Sequence, residues 1–429
     1  MGAEQRRQRV ELLAPAGDIE KLKIAILYGA DAVYTGYSGL SLRAVSGSMD
    51  LQALRDGIDF VHSHGKKIFV AMNIFAKNED VAHISKVIRD ISKAAPDGVI
   101  VSDPGVFSII KAAAPELGIH ISTQANCTNY AAAAFWHGIG AKRIVLAREL
   151  SFAEIAAIRQ RTPADLELEM FVHGAMCVSY SGRCLLSNYL TGRDANKGEC
   201  AQPCRWKYHL VEEKRPEEYL PVLEDGNGTY IFNSKDLCLL EHLPEVIESG
   251  VSSIKIEGRM KSAYYVATVV SAYRAALDDF YAASSPADYM VNPEHLREVS
   301  KASHREFTTG FAVKRNATDG AEHSDGNEKS GIRQNYKTSS YIRDFDIIGI
   351  VQGTDPQTGL TVVEQRNRFF KGDAVEVMVP MGGYFEDVIA ELQDEEGNDI
   401  NSAPHPQMKT LVRLSRPVPE NAILRKKTR

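Results

Sequence analysis

Four of the six cysteines of this 429-residue chain fall in one stretch, EMFVHGAMCVSYSGRCLLSNYLTGRDANKGECAQPCR, from Glu169 to Arg205. Cys177, Cys184, Cys200 and Cys204 follow the spacing C-x6-C-x15-C-x3-C, while Cys127 and Cys238 lie far away in sequence. Gathered thiols have several uses. Disulfides persist in oxidising compartments and suit small secreted domains, and nothing here reads as secreted. A structural zinc site is closed and tetrahedral and usually presents tight C-x2–4-C knuckles. Only Cys200 and Cys204 come near that pattern. Iron–sulfur clusters take four thiolates with looser spacing, often from a loop wrapped over the cluster. Thiols without a ligand sit in apolar runs, whereas these neighbour Ser, Gly, Asn and Arg. Spacing alone leaves zinc and iron–sulfur open.

The surroundings are basic. Between Phe171 and Leu210, Arg183, Arg193, Lys197, Arg205 and Lys207 outweigh Asp194 and Glu199, in a chain whose net charge is -6. Basic neighbours offset the negative charge of thiolates around a metal or cluster. They also suit an anionic substrate such as nucleic acid. A solvated basic loop is the plainer account.

The elements that must position these residues repeat along the first part of the chain. Strands are predicted at Val10–Leu13, Ala32–Tyr34, Lys67–Ala71, Gly98–Val101, Ile119–Ser122, Arg143–Leu146, Glu167–Phe171 and Ser253–Ile256. Amphipathic helices are predicted at Ile19–Tyr28, Asp50–His64, Asp80–Lys93, Pro104–Ala114, Asn126–His137, Ser151–Gln160 and Leu237–Glu248, with Tyr264–Phe280 after the last strand. Eight strand–helix units imply an α/β protein with a (β/α)8 TIM-like barrel over residues 1–280. An open doubly wound sheet lacks room for eight such units, and no GxGxxG follows the first strand. The cysteine stretch becomes an insertion after strand seven, at about 173–230, where barrel chemistry is expected.

Residues at or beyond the strand ends are then site candidates: Tyr34, Asn73, Asp103, Gln124, Asn126, Arg148, Glu149, Glu169 and His173, with Arg43 in the second loop. Structural polar groups occupy such positions equally well. The run Lys255-Ile-Glu257-Gly-Arg259-Met-Lys261 is denser, and alternation sends Lys255, Glu257 and Arg259 the same way. Either the charges pair with one another, or the cations bind carboxylate or phosphate, which an Arg fork matches. Lys255, Glu257 and His173 are the candidates for catalytic roles. His173, four residues before Cys177, could relay protons or hydrogen-bond a cluster sulfur; a satisfied buried histidine is the competing account.

Residues 281–340 form a connecting segment containing SHREFTTGF (Ser303–Phe311) and a polar linker, Thr318–Asn335. From 341 to 429 the pattern turns β, with DIIGIVQG, GLTVVEQ, DAVEVMVP, DVIAELQ and KTLVRLS, which predicts a small antiparallel β-barrel domain. Its QRNRFFKGD loop, with Phe369 and Phe370, and its RKKTR tail combine charge with aromatics, as RNA contact requires. Core phenylalanines beside a solvated edge are the alternative.

At Glu169, Phe171, Gly174, Ala175, Met176, Cys177, Gly182, Cys184, Leu186 and Ser187 the chain matches, without departure, the signature E-x-F-x2-G-[SA]-[LIVM]-C-x4-G-x-C-x-[LIVM]-S. It thereby resembles the collagenase-like U-32 peptidase family. The stretches ELLAPAGDIEKLKIAILYGADAVYTG and NSKDLCLLEHLPEVIESGVSSIKIEGRMKS resemble it too, and the similarity spans most of residues 10–280. The family name implies proteolysis. Its better-understood members resemble oxygen-independent hydroxylases carrying a four-iron cluster on four cysteines, and this chain is most similar to the prephenate-dependent tRNA 5-hydroxyuridine branch. The resemblance implies that Cys177, Cys184, Cys200 and Cys204 hold a 4Fe-4S cluster. It also implies tRNA as partner and prephenate as co-substrate. Prephenate is a dicarboxylate, so Arg43, Arg148 and Arg259 are the candidates for its clamp. Some members work as pairs, which leaves room for a homologous partner chain or a homo-oligomer.

Composition bounds the readings. Hydrophobic residues at 44% and charged ones at 25% are ordinary for a globular protein. No apolar run approaches the ~18 residues a membrane helix needs, and the start, MGAEQRRQRVELL, lacks an apolar signal region. The expectation is a cytoplasmic protein without a membrane. The leading function is an iron–sulfur oxidoreductase that hydroxylates the tRNA wobble uridine to 5-hydroxyuridine without O2. A peptidase is an alternative, although HExxH and GxSxG are both missing. A non-catalytic RNA-binding or assembly subunit with a structural metal site is another.

Overall fold

The computed structural model describes residues 9–38, 40–41, 48–177, 184–193, 200–201, 203, 210–212, 215–220, 235–313 and 341–428. Arg43, Cys204 and the linker Thr318–Asn335 lie outside the described residues.

Among the described residues, eight parallel strands close into a ring. They are β1 (Glu11–Pro15), β2 (Ala32–Tyr37), β3 (Lys67–Ala71), β4 (Gly98–Val101), β5 (Ile119–Ile121), β6 (Arg143–Val145), β7 (Glu167–Ala175) and β8 (Ser253–Ile256). Closure comes from β8, which pairs with β1 through Leu13 and Lys255 and with β7 through Lys255 and Phe171. Alternation sorts the two faces. Leu12, Val33, Ile68, Val99, Ile144 and Ile254 join the large outer core shared with the helices. Leu13, Ala32, Tyr34, Phe69, Ala71 and Ile100 form a separate inner cluster. The helices start on side-chain caps that take an orphan backbone N–H. Asp18, Asp50, Asp103 and Asn129 each accept from the residue three positions on, and Ser151 does so within a capping box with Glu154.

The expected helix over Leu237–Glu248 divides. Asp236–Cys238 is a short strand, and the helix proper is Leu243–Glu248. The strand wins because a backbone partner is at hand: Asp236, Leu237 and Cys238 pair antiparallel with Ala175, Gly174 and His173 at the end of β7. Phe307–Thr308, inside the SHREFTTGF segment, adds a parallel neighbour to it. The two ends of the cysteine insertion are thus tied side by side.

Residues 345–427 build a seven-stranded antiparallel sheet, the half-barrel form of the expected β domain, with its own core of Ile348, Val351, Val363, Phe369, Val377, Leu392, Val412 and Leu424. This sheet is anchored on the barrel. Tyr28 donates to the carbonyls of Met378 and Asn421 at 3.1 and 3.0 Å. Arg425 and Lys426, the first two residues of the RKKTR tail, are part of that anchor. Arg425, fully buried, bonds Glu298 Oε1 at 2.5 Å and Glu376 Oε2 at 2.6 Å, and Lys426 pairs with Asp373 at 2.9 Å. Sequence composition showed the charge but not the carboxylates that meet it. Of the loop phenylalanines, Phe369 is core, while Phe370 is partly exposed under Arg368.

Removing one side of a buried ion pair costs about 3–5 kcal/mol. Arg425→Met, which strands Glu298 and Glu376, should lower the unfolding free energy by about that much in a urea melt; wild-type stability would deny the anchor.

Candidate active site at the barrel mouth

The inside of the barrel carries charge where such folds ordinarily carry branched aliphatics. Arg143 on β6 reaches Glu11 on β1, three strands around the ring, at 2.6 Å. Such a pair can only cross the interior. Arg143 also bonds Glu167 at 2.6 Å and Glu169 Oε2 at 2.9 Å. Glu169 is completely buried, and its other oxygen takes Lys255 Nζ at 2.8 Å. Burial by itself would raise the Glu169 carboxyl; Lys255 and then Arg143 overcome it and hold it down at about 2. The cations are steadied by rings: Lys255 lies 4.3 Å from the Tyr34 centroid and Arg143 lies 5.1 Å from that of Phe69. His120, buried against Phe69, is pushed well below the usual histidine range by burial and then by Arg143.

Above this floor the strand ends present polar groups. Tyr34 donates to Ile256 O at 3.1 Å and bonds Glu257 Oε2 at 3.3 Å. Arg259 is buried, and its guanidinium lies against Gly36, where a Cβ would come within 2.5 Å of Nη1. Gly36 therefore makes room for the arginine beside Ser41. Asn73 donates to Ser122 Oγ at 3.3 Å, and Gln124 and Asn126 follow on the next turn. Lys255 does not pair with Glu257 but with Glu169 on the neighbouring strand β7.

The thiol loop leaves from the end of β7. Gly174, at φ +109°, lets the backbone pass Glu257, whose Cβ and carbonyl a side chain would strike. Cys177 then emerges exposed, and Arg148 Nη2 donates to its sulfur at 3.6 Å. Cys184 is half-buried and Cys200 exposed, on either side of the short helix Leu186–Thr191. Ser187 ties that helix down, donating to Arg193 O at 2.9 Å and accepting from Ala201 N at 3.0 Å. Tyr189 projects from it almost wholly exposed. Cys127 and Cys238 stand apart: burial raises both thiols to about 11.

His173 is wholly buried among aromatic rings. Its ring is enclosed by Tyr265, Tyr273 and Phe307, with centroids 6.1, 5.6 and 5.6 Å away, and Nδ1 finds no partner among the described residues. Burial, reinforced by His304 and Lys261, lowers it to about 3, so the ring is neutral near pH 7.

Among the described residues, no three His, Cys, Asp or Glu side chains close on one point as a single ion requires. A four-iron core spreads its thiolates wider than one ion does. Thiolates are the donors such a core takes; Cys177, Cys184 and Cys200 stand on one loop beyond β7, and Cys177 takes a cationic N–H from Arg148. Glu11, His120 and Arg143 were missed as site groups by sequence reasoning; the signal was a charged residue opening an apolar strand, as in RIV (Arg143–Val145).

Comparison with known proteins places the chain. The model of peptidase family U32 matches residues 17–322, and that of the family's C-terminal domain matches 343–425. The chain is 38% identical to tRNA hydroxylation protein P1 of Bacillus subtilis (strain 168) over 98% of this chain and 95% of that one. It is 35% identical to tRNA hydroxylation protein P of Escherichia coli (strain K12), over 92% and 91% of the two chains. A 23S rRNA 5-hydroxycytidine synthase of Escherichia coli is 37% identical over 63% of this chain and 39% of its own.

Glu169→Gln should cost about 3–5 kcal/mol near neutral pH, because Lys255 and Arg143 lose their shared counter-charge. The carboxylate's contribution is complete above its unfolded pKa of about 4.3 and disappears as pH falls through the folded value of about 2. Denaturation series across that window should show wild type and variant converging; a gap independent of pH would remove Glu169 from the centre of the network.

Proposed function

The chain belongs to peptidase family U32, and we propose that it is an RNA-modifying oxidoreductase hydroxylating the tRNA wobble uridine to 5-hydroxyuridine, without O2 and with prephenate as co-substrate. The observation that carries this reading is likeness, through both domains, to proteins named for tRNA hydroxylation. The loop arrangement supports it. Cys177, Cys184 and Cys200, with Cys204 in sequence, are the proposed ligands of a 4Fe-4S cluster. When bound, such a cluster supplies one-electron transfer.

The protein's own groups would do the rest. Arg259, buried against Gly36 beside Ser41, is the proposed grip on one carboxylate of the co-substrate. Arg43 is proposed for the other. Lys255, fixed by Glu169, would hold the floor of the pocket in place. His173, neutral and shut among aromatic rings, would hold the end of β7 rather than carry a proton. Tyr189, exposed between Cys184 and Cys200, offers a flat face on which an unstacked base can lie. Proteolysis through Cys177 would need a base beside the thiol, and the group found there is Arg148. No helix among the described residues is long and apolar enough to cross a membrane.

Anaerobically purified protein should contain iron and sulfide in equal amounts, and a deletion strain should regain 5-hydroxyuridine, read by nucleoside mass spectrometry, only with the wild-type gene. Cys177→Ala and Cys184→Ala should lose both cluster and modification. Full modification by either variant would sink the reading.

A further inference from the structure

Arg148 is expected, from its place beyond β6, to help clamp a carboxylate. Its partners point elsewhere. Nη1 donates to Ala175 O at 2.8 Å, and Nη2 donates to Cys177 Sγ at 3.6 Å. The guanidinium carbon also sits 5.0 Å from the Phe171 centroid. Two hydrogen bonds and one ring fix the fork against the last residues of β7. A planar guanidinium so held cannot turn without giving up Ala175 O.

The same Phe171 ring touches Lys255, whose ammonium is 5.5 Å from the centroid. A continuous contact path therefore runs from Glu169 through Lys255 and Phe171 to Arg148 and Cys177. The thiol is exposed on its outer side and meets a fixed cation on its inner side.

We propose that Arg148 is a positioning residue for Cys177 that raises the reduction potential of the cluster bound through that thiolate. The inference rests on the cluster reading given above. The physics is charge balance. One electron entering the cluster makes the metal–thiolate assembly more negative, and part of that charge resides on the sulfurs. A cationic N–H donor aimed at one sulfur stabilises the reduced form more than the oxidised form. Hydrogen bonds to the sulfurs are among the established levers on such potentials. Removing the donor lowers the potential, with no change in the four ligands.

The test uses anaerobically prepared full-length wild type, Arg148→Met, Arg148→Gln and Arg148→Lys. Iron and sulfide content is measured first, then the midpoint by mediated reductive titration followed by electron paramagnetic resonance. Arg148→Met should shift the reduced-to-oxidised ratio at fixed poise at least tenfold toward the oxidised form, which is about 59 mV for one electron. Arg148→Lys, which keeps charge without the fork, should fall between. Fully loaded Arg148→Met titrating with wild type would overturn the proposal. If Arg148→Met does not load, Arg148→Gln takes its place, and a wild-type midpoint there overturns it equally. If neither loads while circular dichroism shows an intact fold, Arg148 builds the site rather than tunes it, and the proposal falls. A wild type free of iron would refute the cluster reading itself, an outcome distinct from all of these.

Discussion

The interior of this barrel is organised around a single buried carboxylate. Glu169 is wholly buried and meets two cations, Lys255 on the strand beside it and Arg143 on the strand before it. Each of these charges alone would be costly to bury; together, with Glu11 and Glu167 completing Arg143, they are mutually satisfied. The arrangement dictates residue choice on β1, β6, β7 and β8 at once. It also fixes Lys255, and through Phe171 it steadies the guanidinium that meets Cys177. The polar mouth above therefore stands on a floor in which buried ion pairs lie beside the apolar inner cluster.

Much of the fold was legible because it is written in local pattern. The eight strands were readable from β-branched runs, and the helices start at Asp18, Asp50, Asp103 and Ser151, residues whose side chains cap them. What escaped the sequence was pairing between distant positions. Lys255 and Glu257 looked like partners two residues apart, yet Lys255 meets Glu169, and Glu257 meets Tyr34. The tail RKKTR looked like a basic surface, yet Arg425 is sealed between Glu298 and Glu376. Leu237 read as helix because its period fits one; the available edge of β7 made it strand. For the site, the family signature singled out Glu169, Phe171, Gly174 and Cys177. The structure supplies physical reasons: a buried anion, a ring shared by two cations, a backbone turn at positive φ, and a thiol facing an arginine.

The β domain adds a second consequence of buried charge. Its last strand, Ile423–Lys427, runs against both neighbouring strands of its sheet and sends Arg425 toward Glu298 of the helix Pro293–Lys301, in the segment that follows the barrel. Docking therefore depends on a carboxylate from each unit, Glu298 and Glu376, meeting at one guanidinium. This directional contact adds to the apolar packing of Ile350, Met378 and Ile423 against the barrel core.

The strand pair that joins His173–Ala175 to Asp236–Cys238 has a bearing on descent as well as on mechanics. Because both stems of the excursion are clasped within one short ladder, the barrel feels the same boundary whatever lies between them. The cost of closing a loop grows only slowly with its length, by roughly 0.6 kcal/mol per doubling. Evolution is thus free to lengthen, shorten or rewrite the crown of this scaffold for a new nucleotide while the cylinder beneath keeps its register. The clasp makes the chemistry of the loop an exchangeable head on a permanent handle.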